Sequence, residues 1–181
     1  MKMSATIMAA LLLTTMWLGG CKTAPKTEAG RTSLHKDAMA TIDRFKAIDP
    51  TLDRFFRESA GYAVFPSVGK GAIGVGGAYG RGELFERGKM IAYCDLSQGT
   101  IGLQLGGQAY SEIIFFKNKE ALTEFKSGNF TFAAQASAVA ATAGSSVDAD
   151  YDSGVSVFTI ERGGLMYEAA IGGQKFSVVP K

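Results

Sequence analysis

The chain has 181 residues but a single histidine and two cysteines. His35 stands alone, with no nucleophile near it in sequence, so neither a histidine-bearing triad nor a histidine metal cluster can be assembled around it. Cys94 ends the apolar run IAYC and reads as a small buried hydrophobe rather than a nucleophile. A charge excess of one sign is also missing: 19 Lys and Arg stand against 17 Asp and Glu, a net charge of +2. No general field for polyanions results, and nucleic acid is not an expected partner. Apolar runs are short, the longest being residues 7–18, below the ~20 residues that span a bilayer. Carboxylates are present, but no pair is singled out for acid–base work, so no catalytic residue, cofactor or metal is expected.

The first residues are those of a secretory leader: Lys2, the apolar run 7–18, then Leu18-Gly19-Gly20-Cys21. Leucine, two small residues and cysteine resemble the lipobox of bacterial lipoproteins; the alternative is an ordinary signal peptide with a chance cysteine. The resemblance implies cleavage before Cys21, diacylation of its thiol and acylation of the new amine. Several acyl chains make such an anchor effectively permanent. Lys22 in second place, where aspartate would retain a lipoprotein at the inner membrane, implies the outer membrane and a periplasm-facing domain. Residues 1–20 are thus expected to be signal peptide, 21–32 a lipidated tether, and 33–181 one domain. Cys94 then has no disulfide partner, and stability must come from the core. Basic residues outnumber acidic ones 12 to 8 over residues 22–90, against 6 to 9 beyond. The tethered half is therefore the one suited to anionic headgroups, although a solvated surface accounts for it equally well.

Residues 22–31, KTAPKTEAGR, suit a linker. Leu34, Ala38, Met39, Ile42 and Phe45 then recur at helical spacing among charges, predicting an amphipathic helix capped by Ser33. Asp49-Pro50 reads as N-cap and first residue of a second short helix with Leu52, Phe55 and Phe56 inward. From Tyr62 the texture changes to short apolar runs punctuated by glycine, YAVF, AIGVGGAY, ELFERGKMIAYCDL, TIGLQLGG, EIIFF, VSVFTI, GLMYEAAI and KFSVV, predicting antiparallel strands. One helix interrupts them, with Asn118 as cap, Leu122 and Phe125 inward and Gly128 past its end. Residues 132–146 are compatible with helix or strand. The expected fold is α+β: a single domain with an antiparallel glycine-rich sheet, sandwich or barrel-like, a few short helices and an N-terminal amphipathic helix.

The glycine-rich stretch GKGAIGVGGAYGRG, residues 69–82, decides between a phosphate loop and a strand. The Walker pattern fails at Val64 and Gly71, and the segment that follows alternates like a strand rather than opening a helix. As a strand, it puts Ala72, Gly74, Gly76, Ala78 and Gly80 on one face. A face so nearly bare implies that another backbone or a helix comes close there. Residues 100–107 repeat the arrangement, and residues 169–173 offer a third version. Asp148, Asp150 and Asp152 share the first spacings of a calcium loop, but glycine falls at the seventh place and Thr159 at the twelfth, so a solvated turn is expected instead.

YAVFPSVGKGAIGVGGAYGRGELF, SQGTIGLQLGGQAYSEIIFF and LTEFKSGNFTFAAQASAVA, in this order and spacing, closely resemble the SYLF or Ysc84-type domain, over residues 37–179. The resemblance implies a non-catalytic domain that binds membrane phospholipid, anionic species foremost. It also implies a lipid-contacting helix over residues 33–46, with Leu34, Met39, Ile42 and Phe45 as insertion residues and Lys36, Arg44 and Lys46 as headgroup contacts. Core packing is the other reading of that apolar face. Lys70 and Arg81 match the family's basic positions beside the glycine strand. Actin, bound by some eukaryotic members, is not an expected partner in the periplasm. The alternative function is a structural or assembly role, docking another envelope protein.

Overall fold

The computed structural model describes residues 23–128, 131–132, 138–140 and 142–181. The leader and Cys21 lie outside them. Helix α1 spans Glu28–Ile48; Thr27 caps it by accepting the Gly30 N–H at 3.1 Å, with Glu28 in the first turn and Lys46 in the last, as the helix dipole favours. The expected cap, Ser33, therefore lies inside the helix. Glu28, Ala29 and Arg31 are good helix formers and no proline intervenes, so once Thr27 satisfies the first turn, accepting from Gly30 itself, the helix starts ahead of residue 33. Ala38, Thr41, Ile42 and Phe45 form its buried stripe, at intervals of three, one and three. Asp49 ends α1 and caps the 3-10 turn Pro50–Leu52, which leads into α2, Asp53–Glu58.

The sheet consists mainly of three very long strands: β1, Gly61–Glu86; β2, Lys89–Phe116; and β5, Val155–Pro180. Helix α3, Lys119–Lys126, follows β2, capped by Asn118 as expected. Two short strands precede β5: β3, Thr131–Phe132, and β4, Ala138–Ala140. The order is β1-β2-β5-β3, with β4 parallel to β5 and the other pairings antiparallel. The many short runs expected from the sequence are thus pieces of three continuous strands. Glycine interrupts the apolar pattern without interrupting the ladder, since it still donates and accepts both backbone hydrogen bonds. What the irregularities do is bend. Register shifts fall at 65/68, 73/75, 84/85 and 109/110, and Gly106 takes φ 128° opposite Ala72.

The result is a sheet folded on itself. A Cβ on Gly82 would lie 2.3 Å from the Val64 carbonyl oxygen, one on Gly80 2.7 Å from Val68, and one on Gly61 2.6 Å from the Phe85 oxygen. The two halves of β1 therefore cross in direct backbone contact, as the bare face suggested, although Gly80 and its neighbour Gly82 carry the contact. Farther from this edge the layers separate around Phe65, Leu84, Cys94, Leu96, Phe116 and Phe176, and α3 inserts Leu122 and Phe125 among them. Phe125 meets Phe116 and Phe176 with ring centroids 4.7 and 5.0 Å away. A second core lies on the outer face, where Ala38, Ile42 and Phe45 of α1 pack with Phe55 on Tyr62, Val64, Phe85, Phe115 and Phe158. The sandwich is one bent sheet, open in its strand order among the described residues, not a closed barrel. Among the described residues both cores draw on residues 38–176, so a chain starting at Lys22 retains every core residue described.

Candidate functional site

The helix expected to meet lipid faces inward where it is most apolar. Ile42 and Phe45 are buried, and this corrects their expected role as insertion residues: Tyr62, Val64 and Phe85 of the sheet occupy the space that lipid was to fill. Leu34 is half-buried, and Met39 is 42% exposed. Of the expected headgroup contacts, Lys36 and Arg44 are exposed, while Lys46 reaches Asp53 at 3.0 Å and lies 4.6 Å above the Phe56 ring. His35 accompanies them on the helix, with Nδ1 2.8 Å from Glu83 Oε2. Burial raises the Glu83 carboxyl above its ordinary value, and the imidazole offsets this in part.

Arg81 alternates onto the same face of β1 as Glu83, which meets His35 of α1. Lys70 is buried, and Arg81 is half-buried, its Nε 3.6 Å from Asp95 and its guanidinium donating to the Tyr79 hydroxyl at 3.2 Å. The structure therefore does not bring all the expected basic residues onto one surface. Between Lys70 and Arg81 runs the bend of β1, in register with the bends of β2 and β5. Gly71 faces Gly107, which faces Leu165; Gly77 faces Gly99, which faces Gly173. Ile73 within this block is 84% exposed, and Tyr79 just beyond it 45%. Neither was among the expected contact residues. The signal available was the third glycine-rich segment at residues 169–173, which the register places beside the other two.

Two buried polar groups hold the frame around this surface. Asp49 accepts from Thr51 N and Oγ1, Gly144 N, Ser145 Oγ and Ser146 N, clamping the turn at residues 143–146 against the end of α1. Burial alone would raise its pKa; the donors, Thr51 and Ser146 foremost, outweigh burial and hold the carboxyl far below its ordinary range. Arg54 fastens the same segment by donating to the Ser146 and Ala149 carbonyls, both at 2.6 Å. Glu112, 1% exposed, bridges the layers by accepting from Gln174 Nε2 at 3.1 Å, and burial pushes its pKa up to about 7. Its Oε1 and Gln174 Oε1 have no partner among the described residues. Cys94 is fully buried and its thiol is pushed well up by that burial. Asp148, Asp150 and Asp152 lie in exposed turns, with Asp152 paired to Val155 through the backbone.

The described geometry is that of a small α+β domain with Ile73 exposed at the bend of β1. No helix among the described residues is long and apolar enough to cross a membrane. Residues 97–179 match the family model described as Ysc84, Las17-binding protein actin regulator. The curated protein Beta cell expansion factor A of Aeromonas veronii is 26% identical over 155 residues, covering 84% of this chain and 59% of its own length. Over residues 97–179 the chain is thus similar to the Ysc84-type domain, and it spans about three fifths of the length of that relative.

Proposed function

We propose that this protein is a non-catalytic, phospholipid-binding lipoprotein of the bacterial cell envelope, held at the outer membrane through acylated Cys21 with its domain in the periplasm. The observation that carries the reading is the Ysc84-type match over residues 97–179, the segment that supplies two of the three glycine-rich bends. Membrane binding is what the family resemblance implies, and the exposed Ile73 gives that activity a place on the surface. The actin-regulating role in the family description is not carried over, because a chain exported behind residues 1–20 does not meet actin. The test uses residues 22–181, which lack the anchor, sedimented with vesicles of neutral lipid alone or with anionic phospholipid. Binding that requires anionic lipid and weakens at high salt is expected. Recovery of the whole protein in the supernatant with both kinds of vesicle would overturn the reading and favour docking to an envelope protein.

A further inference from the structure

We propose that the membrane-contacting element of this domain is the bend of its three long strands, and that it enters an anionic bilayer to interfacial depth. The inference rests on the lipid-binding reading and names the surface that performs it. Residues 71–77, 99–107 and 165–173 are joined by register into one block of 25 residues, in which Glu168 is the only charged residue. The same rows place Ile73, Leu105 and Tyr167 side by side, and Val75, Ile101 and Ile171 side by side. Ile73, 84% exposed, is the most exposed large apolar residue described. A single exposed isoleucine is ordinary; one in the middle of an almost uncharged block contributed by three separate segments of the chain is not.

The edges of the block fit a bilayer surface. Arg162 stands exposed at one end and Lys175 at the other, where Arg81 is half-buried, together with two acids, Asp95 and Glu161. Both acids are engaged, Asp95 by Arg81 and Glu161 by Gln108 Nε2 at 3.0 Å. The exposed basic margin of Arg162 and Lys175 therefore complements anionic headgroups. Tyr79, half-exposed beside that margin, has the amphipathic ring that settles between hydrocarbon and headgroups. Backbone chemistry limits the depth. The middle strand keeps β5 as partner throughout the block, and β1 as partner except at Gly102, Leu103 and Gln104, but β1 has no described partner on its outer side. An unpaired edge does not enter hydrocarbon, so the bend reaches the interface without spanning. The block is also poor in the aromatic and arginine anchors that protein interfaces favour, whereas a fluid apolar phase requires only apolar surface.

The experiment compares residues 22–181 with their Ile73→Asp and Met39→Asp variants on vesicles containing phosphatidylglycerol, with thermal unfolding as the check on folding. Loss of Ile73 from the apolar phase should lower the partition coefficient about tenfold or more. Met39→Asp, on the exposed side of α1, should bind as the parent does. Equal binding by parent and Ile73→Asp, or loss confined to Met39→Asp, would overturn the inference while leaving membrane binding intact. A parent that does not bind would remove the underlying reading as well. Should Ile73→Asp unfold, Ile73→Ser provides the same comparison without adding a charge, with the same outcomes.

Discussion

Replacing Glu112 by glutamine should change how stability depends on pH far more than it changes stability in acid. In the fold the carboxyl keeps its proton up to about pH 7, against an ordinary value of 4.5, because burial between the layers disfavours the anion more than the hydrogen bond from Gln174 favours it. A displacement of that size corresponds to roughly 3 kcal/mol. Between pH 4.5 and 7 the unfolded chain gives up this proton while the native protein retains it. The native state then binds more protons, so this site makes stability fall as pH rises through the window and level off above it. Glu112→Gln keeps the shape and removes the titration. The two proteins should lie within about 1 kcal/mol of each other at pH 5. By pH 8.5 the variant should have gained on the parent by up to ~3 kcal/mol, on the order of 1–2 M in the urea midpoint. The same comparison probes the two unpartnered oxygens of the pair, since a protonated Glu112 converts one potential acceptor into a donor. Urea titrations of both proteins at pH 5, 7 and 8.5 provide the assay. Curves that run parallel across the range would refute the claim that Glu112 is buried neutral.

Two further perturbations test the frame. Gly82→Ala places a methyl group 2.3 Å from the Val64 oxygen and 2.7 Å from the Phe65 ring, and should cost at least ~3 kcal/mol or prevent folding, whereas Gly99→Ala meets nothing within 4 Å and should stay within ~0.5 kcal/mol in the same thermal unfolding experiment. Asp49→Ala strands donors from Thr51, Gly144, Ser145 and Ser146 and should cost roughly 3 kcal/mol at pH 7. Because the fold lowers the Asp49 pKa, this contribution is complete above the ordinary carboxylate value of 3.8 and is lost as pH falls below it, so parent and variant should converge in acid.

Local chemistry was the most legible part of the sequence. Asn118, Leu122, Phe125 and Gly128 mark the ends and the inner face of α3, and Asp49-Pro50 marks a helical start, because each signal acts within one turn. The bare face of the glycine strand correctly foretold a close backbone approach. Its partner was not legible, since the strand that approaches Gly80 and Gly82 is the first half of β1 itself, brought back by the bend. The assignment of α1 shows a different limit. The spacing of Ala38, Ile42 and Phe45 identifies residues that share a face, but the same stripe suits a protein core and a lipid surface, and only the position of Tyr62, Val64 and Phe85 decides for the core. Likewise, Ile73 reads as one more strand residue until the register sets it among three segments that hold a single charge, Glu168.

The central claim is tested most directly by placing an environment-sensitive fluorophore on Ile73→Cys in residues 22–181. Cys94, buried and held protonated, should remain unlabelled in the native protein. Addition of vesicles containing anionic phospholipid should shift the emission to the blue and raise its intensity, while neutral vesicles or high salt should diminish both changes. An unaltered spectrum under conditions in which the labelled protein sediments with the vesicles would show that the domain meets the membrane with some other surface.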